Sequence, residues 1–137
     1  MALSSPARKW LRYALDDLKV VRALENLGPS YLRACAYHSQ QAVEKALKGY
    51  LTHHRIRFPK SHNIAVLLEL VAEADPKLAK KLSVAKRLTK YAIEYRYPDA
   101  ASKPMNRAKA RAASAVATKV YELLATELRT STVGALG

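Results

Sequence analysis

The chain has 137 residues, of which half are hydrophobic, and a formal net charge of +13 from 24 Lys and Arg against 11 Asp and Glu. This length suits one domain with a substantial core, while a single cysteine and no apolar run of about 18 residues exclude a disulfide scaffold, a cysteine-rich zinc site and a membrane span. The positive charge predicts a polyanionic partner, of which nucleic acid is the commonest in a cell.

The first two predicted helices form an antiparallel pair. The first begins near Pro6 after a serine cap and ends at the Asn-Leu-Gly-Pro segment of residues 26–29. The second, residues 31–57, is the longest unbroken helical pattern, with apolar and small residues every three or four positions. Because the connection is short, the two helices are expected to pack side by side.

A polar stripe runs along the far side of the second helix and is bordered by Lys45. We call it the polar ridge, and it consists of Tyr37, Gln41, Glu44 and Lys48. A charged outer face is ordinary for an amphipathic helix, but this ridge also suits a partner subunit or a ligand. Since a small bundle needs only one patterned side, we predict a homodimer with parts of the ridge at or beside the contact.

Three further helical patterns follow, each bounded by a capping residue or a proline: residues 63–74, 75–96 and 106–129. The second of these must end near Arg96, because Pro98 disfavours helical geometry in the residue before it. No segment alternates with the period of a strand. The sequence therefore predicts an all-α, up-and-down bundle of about five helices over residues 1–129, with residues 130–137 as a frayed tail.

The fourth predicted helix has a strongly basic outer side. We call it the basic surface, and it consists of Lys77, Lys80, Lys81, Lys86, Arg87 and Lys90. Arg107, Lys109 and Arg111 of the last helix add further positive charge. These residues are expected to dominate binding to RNA or DNA; the alternative is that they pair with an acidic protein.

Cofactor chemistry has no sequence support. The chain lacks a glycine-rich phosphate loop, an HExxH pair and a carboxylate cluster suited to two metals, so neither a metal nor a cofactor is predicted. A metal-independent ribonuclease stays open, because one histidine with Arg or Lys provides a general base and phosphorane-stabilising cations. Its candidates are Arg33, His38, His62 and Arg96. For His62 the alternative is a loop histidine bonded to the backbone.

Several motifs together carry a family resemblance. They are Trp10 with Asp-Asp-Leu at 16–18, HSQQAVEKALK at 38–48, Pro59, Ser-His-Asn at 61–63, Leu-Leu at 67–68, Arg-Tyr-Pro at 96–98 and an Ala-rich last helix. In this order and spacing, over about residues 7–128, they make the chain resemble the HEPN domains (higher eukaryotes and prokaryotes nucleotide-binding). The resemblance implies a helical bundle that commonly dimerises. Separately, the N-terminal residues lack the apolar region of a secretory signal, so a cytoplasmic location is expected.

The same resemblance implies function and partners. Many bacterial and archaeal members are encoded beside a minimal nucleotidyltransferase, as a toxin–antitoxin pair, so we expect such a partner and the binding of a nucleotide or RNA. The residues expected to bind it are Gln41, Lys45, Lys48, His62, Arg96 and Tyr97. Arg96 is expected to point toward Lys45, Lys48 and His62 as a phosphate contact; the alternative is a bond to helix-end carbonyls or to Asp99.

Other members of the superfamily are RNases with an Arg and a His separated by four to six residues. Arg33 and His38 match this spacing, but five residues turn a helix by about 500°, so the two side chains diverge by about 140°. In RNase members the motif lies near the start of a late helix, and no histidine follows Arg96 here. The sequence thus favours a binding module over an endoribonuclease toxin, with a helical adaptor as the third alternative.

Overall fold

The computed structural model describes residues 3–97 and 103–136, with side chains as far as Arg129. Its regular elements in this part of the chain are all helical. They are α1 (Ser5–Leu24), α2 (Leu32–His53), α3 (Ile64–Ala74), α4 (Pro76–Lys81), α5 (Thr89–Arg96) and α6 (Arg107–Leu136), with 3₁₀ segments at Pro29–Tyr31 and Ser83–Leu88. The predicted all-α bundle is confirmed.

Helix α2 is the centre of the bundle and packs against α1, α3, α5 and α6. Its approach to α1 is closest at Gly49, where a Cβ atom would lie only 3.2 Å from the Cβ of Trp10 and 3.5 Å from the carbonyl oxygen of Ala7. Because Gly49 has no side chain, the backbones of α1 and α2 can approach each other closely at this point. Because α2 packs against four other helices, most of its side chains are buried.

The end of α2 differs from the prediction, which extended the helix to Arg57. The helix ends at His53, and Arg55 takes a left-handed conformation with φ of 57°. The N–H groups of Arg55 and Ile56 donate to the carbonyls of Thr52 and Leu51 at 3.1 and 2.9 Å, which is a Schellman cap. Such caps usually carry glycine, so an arginine in this position conceals the helix end in the sequence.

The predicted fourth helix is also interrupted, and this part of the prediction is wrong. Asp75 caps α4 by accepting from the N–H of Leu78 at 3.1 Å, and a 3₁₀ segment then separates α4 from α5. Leu82, Ala85 and Leu88 are buried there at a spacing of three. A 3₁₀ helix has 3.0 residues per turn, so this spacing keeps all of them on the core side.

The ends of α5 and α6 bear on two further predictions. Helix α5 ends at Arg96 and Tyr97 is extended, with φ of −125° and ψ of 105°, as expected for the residue before a proline. Helix α6 continues to Leu136, past the predicted end at Arg129. The fraying of residues 130–137 stays a prediction, because their side chains lie outside the described part.

Among the residues that the structure describes, no helix is both long and apolar enough to cross a bilayer.

Candidate functional site

Two buried carboxylates organise the polar side of α2, and each contacts one histidine and one lysine. The first is Asp17 of α1, whose side chain is 10% exposed. Its Oδ2 accepts from Lys45 Nζ at 2.6 Å, and its Oδ1 lies 2.9 Å from His38 Nδ1. Since both partners belong to α2, Asp17 joins the first two helices through charge as well as packing.

The second carboxylate is Glu44 of α2, and we call the residues bonded around it the Glu44 cluster: Gln40, Gln41, Glu44, Lys48 and His62. Oε1 of Glu44 accepts from Lys48 Nζ at 2.7 Å, and Oε2 accepts from Gln40 Nε2 at 2.9 Å. His62 Nδ1 lies 3.0 Å from Oε2. Gln41 Nε2 donates to Gln40 Oε1 at 2.6 Å, which connects it to the cluster.

These partners determine the protonation of Glu44. Burial alone would raise the pKa of its carboxyl group, because the charged form loses water. Hydrogen bonds from Lys48, His62 and Gln40 outweigh this and leave the pKa of Glu44 below its ordinary value. The cluster is therefore built around a carboxylate that stays ionised at neutral pH.

Lys48 is enclosed by aromatic side chains as well as by Glu44. Its Nζ atom lies 5.6 Å from the ring centroid of Trp10 and 5.9 Å from that of Phe58. The two rings meet edge to face, with centroids 6.3 Å apart. Both the charge and the stem of this lysine thus serve contacts inside the protein.

A different arrangement of side chains joins α2 to α5. The ring of Tyr37 stacks on Tyr95 with centroids 4.3 Å apart and planes 19° from parallel. The guanidinium of Arg33 lies 5.8 Å from the Tyr95 centroid, and that of Arg96 lies 5.4 Å from the Tyr37 centroid. An Arg–Tyr–Tyr–Arg stack therefore closes this junction.

The arginines of the stack also satisfy carbonyl groups at the C-terminal end of α5. Arg33 Nη2 donates to the carbonyls of Glu94 and Tyr95 at 2.9 and 3.0 Å. Arg96 Nη1 donates to the carbonyl of Ala92 at 2.9 Å, and its Nη2 donates to the Tyr37 hydroxyl at 3.1 Å. The last carbonyls of a helix lack partners within it, so Arg33 caps α5, whereas Arg96 donates to a carbonyl one turn before the helix end.

The structure brings the predicted binding residues together in three separate groups. Gln41, Lys48 and His62 belong to the Glu44 cluster, and Lys45 belongs to the Asp17 pair. The hydrogen bonds of Arg96 go to Ala92 and Tyr37, as the helix-end alternative expected, rather than toward the lysines or His62. The other alternative partner, Asp99, lies outside the described residues.

The polar ridge is less open than the sequence suggested. Glu44 and Lys48 have side chains only 5% and 11% exposed, whereas Tyr37 and Gln41 are half-buried. The helical spacing of the ridge is correct, but α1, α5 and the segment between α2 and α3 cover part of it. Any contact with a second subunit would therefore involve Tyr37 and Gln41 rather than the two charged members.

Arg33 and His38 do not converge on a common point. Arg33 reaches the end of α5, whereas His38 turns to Asp17 on α1. The divergence expected from their spacing along the helix is thus seen in their contacts, which lie with different neighbouring helices.

Asp17 and Gln40 are the important residues that the sequence reasoning missed as site members. Both are buried, and both share a helix side with apolar residues: Asp17 lies three positions after Ala14 and four before Val21. A carboxylate within such an apolar stripe is the signal that was available, because a buried charge requires partners.

The basic surface has the opposite character. All six of its residues are exposed, and they lie on α4, the second 3₁₀ segment and α5. Over the described residues, the ion pairs within 4 Å all use Asp17 or Glu44 as the carboxylate. The positive charge of the basic surface is therefore not neutralised by contact inside the described part of the chain.

Neither a metal site nor a reactive thiol is evident in this part of the molecule. The described side chains include no group of three or more His, Cys, Asp or Glu placed to hold a metal ion. Cys35 is buried, and burial raises the pKa of its thiol. A buried thiol with a raised pKa is a poor nucleophile.

Comparisons with known proteins agree on one relationship. The family model described as HEPN domain matches residues 7–128. The crystal structure of TT1696 from Thermus thermophilus is similar, with a TM-score of 0.71 and 33% sequence identity over 91% of this chain and 100% of that chain. No curated protein matches the chain.

Proposed function

Because this chain belongs to the HEPN domain family and is thus a nucleotide- or RNA-related module, we propose that it binds RNA through the basic surface. One observation carries the proposal: six exposed cations lie on consecutive elements without a carboxylate in contact among the described residues. Unpaired surface cations suit RNA because phosphate contacts release condensed counterions, which supplies most of the sequence-independent affinity.

The lysines of α2 contribute less to this binding. Lys45 and Lys48 already hold Asp17 and Glu44 at 2.6 and 2.7 Å, so a phosphate would compete with a carboxylate for each. Arg96 already donates to Ala92 and to Tyr37, but a guanidinium has five N–H donors, so it can still donate to a phosphate. We therefore assign the phosphate contacts to the basic surface first and to Arg96 second.

The test follows RNA retention and RNA cleavage in one reaction. The purified protein is incubated with end-labelled RNA in EDTA, and the products are separated on native and on denaturing gels. We expect retention of intact RNA that weakens as salt is added. Cleavage in EDTA would instead support the metal-independent endoribonuclease, which the diverging contacts of Arg33 and His38 do not favour. Neither retention nor cleavage would favour the helical adaptor of an acidic protein.

Association is the second part of the proposal: the chain forms a homodimer that pairs with a minimal nucleotidyltransferase as a toxin–antitoxin module. Tyr13 and Val20 of α1 are 40% and 37% exposed. They lie one turn to either side of Asp17, on the edge of α1 that meets His38 and Lys45. We propose that, with Tyr37 and Gln41 of α2, they form a mixed apolar and polar strip that contacts a second copy.

Light scattering tests both associations. The chain alone is expected to have twice the mass of its 15.2 kDa monomer, and the purified nucleotidyltransferase encoded beside it should raise that mass further. Val20→Glu should give a monomer, since it places a charge in the strip. A monomeric wild type at high micromolar concentration would rule out the homodimer, and an unchanged mass after the addition would rule out the partner.

A further inference from the structure

Tyr97 stands where α5 ends and the backbone becomes extended. Its N–H donates to the carbonyl of Ile93 at 3.0 Å, which fixes its position relative to the helix. Tyr97 is 61% exposed and Ile93 is 52% exposed. Lys90, Ile93 and Tyr97 recur at helical spacing, so they lie on one side of α5, and Lys90 is itself a member of the basic surface.

The neighbouring tyrosines differ from Tyr97 in one respect. Tyr95 has the ring of Tyr37 on it at 4.3 Å and the guanidinium of Arg33 at 5.8 Å. Tyr37 is occupied by Tyr95 and by Arg96 at 5.4 Å. For Tyr97, the described residues provide no ring or cation contact of this kind. Among the described rings Tyr37, Tyr95 and Tyr97, that of Tyr97 is therefore the one with a face to offer a ligand.

The spacing between charge and aromatic ring fits a nucleic-acid strand. Tyr97 lies seven positions after Lys90, a rise of about 10 Å along a helix. This corresponds to roughly three nucleotides at a stacked rise of 3.4 Å. A strand that runs along α5 with a phosphate on Lys90 therefore has a base level with Tyr97 about three nucleotides further on.

We infer that this surface selects single-stranded RNA, with phosphates on the basic surface and an unpaired base stacked on the Tyr97 ring. The inference rests on the proposed function and adds the form of RNA that is bound. In a duplex each base is covered on both faces by its neighbours, so the ring of Tyr97 finds no partner there. An unpaired base gains the stacking contact in addition to the phosphate contacts.

The test compares two RNA probes by fluorescence anisotropy at one salt concentration: a labelled 12-nucleotide oligoadenylate, and the same strand in a duplex with oligouridylate. Wild type should bind the single strand about 10-fold more tightly than the duplex. Tyr97→Ala should weaken single-strand binding by about 10-fold, within the range measured for loss of one stacked base. Its affinity for the duplex should not change.

Two further variants separate stacking from other causes. Tyr97→Phe keeps the ring and should stay within about 3-fold of wild type on the single strand, because stacking needs the ring and not the hydroxyl. Leu27→Ala is the control for lost exposed apolar surface, since Leu27 is 58% exposed between α1 and α2 and has no ring to stack. The salt dependence of Tyr97→Ala should equal that of wild type, because no charge is removed.

Three results would overturn the inference. The first is equal affinity of wild type for both probes with no effect of Tyr97→Ala, which leaves RNA binding itself intact. The second is a change of Tyr97→Ala from dimer to monomer in light scattering, which would make the surface a subunit contact. The third is salt-insensitive or absent binding of both probes by wild type, which would reject the proposed function as well.

Discussion

Reversing the charge of four residues on the basic surface should lower RNA affinity by roughly 100-fold or more at 0.15 M salt. The variant combines Lys80→Glu, Lys81→Glu, Lys86→Glu and Arg87→Glu. Each phosphate contact contributes about 0.7 to 0.9 to the slope of log affinity against log salt. If wild type neutralises about five phosphates, its slope should be near −4, and loss of four contacts should leave a slope near −1.

The control must carry the same change in total charge. Arg8, Arg12, Lys19 and Arg22 are exposed on α1, and their replacement by glutamate also lowers the net charge of +13. Each replacement removes two units, so both variants have a net charge of +5. If total charge alone attracts RNA, the two variants will lose affinity equally; if the basic surface binds it, the α1 variant will keep most of the wild-type slope. Circular dichroism verifies that both remain folded.

Much of the fold was predictable because helix ends and apolar spacing are local signals. Ser4 accepts from the N–H of Ala7 at 3.2 Å and Asn63 from that of Ala65 at 3.0 Å, so these two predicted caps are present. A serine cap at Ser30 was also expected for α2, but that helix starts without a side-chain cap. The end of α2 at the Schellman cap was not predicted, because the left-handed residue there is Arg55 and not a glycine. The 3₁₀ segment was not predicted, because apolar residues spaced three apart also fit an α-helix.

The candidate site was predicted less well, and the reason is the position of α2. Helical spacing showed correctly that Tyr37, Gln41, Glu44 and Lys48 share one side. It did not show that α1, α5 and the segment between α2 and α3 cover much of that side, because the packing of neighbouring elements is not a local property. A residue such as Glu44 therefore looked like solvated surface while it holds buried hydrogen bonds.

Loss of the Glu44 carboxylate should strongly lower the stability of the fold. In Glu44→Ala, the ammonium of Lys48, 11% exposed, loses its counter-ion, and the buried amide of Gln40 loses an acceptor. Breaking a buried ion pair by removal of one partner typically costs about 3–5 kcal/mol. For a domain of this size that corresponds to a fall in melting temperature of roughly 10–20 °C, measurable by calorimetry.

Two variants identify the source of that loss. Glu69→Ala, at an exposed position of α3, should change the melting temperature by no more than a few degrees. The double variant Glu44→Leu with Lys48→Met removes both charges and should recover much of the stability, because the penalty comes from the unpaired ammonium more than from the missing pair. If Glu44→Ala had the same melting temperature as wild type, the cluster would not stabilise the fold.

The pH dependence of stability follows from the same cluster. Because the pKa of Glu44 is lower in the folded protein than its ordinary value of 4.5, ionisation of Glu44 stabilises the fold. This contribution is complete above pH 4.5 and is lost as the pH falls through the lower, folded-state pKa. Wild type should therefore lose stability more steeply than Glu44→Gln below that pH. If the melting temperatures of the two proteins fell equally as the pH was lowered, the acid sensitivity would come from other carboxylates. Asp17 would then be the next residue to substitute.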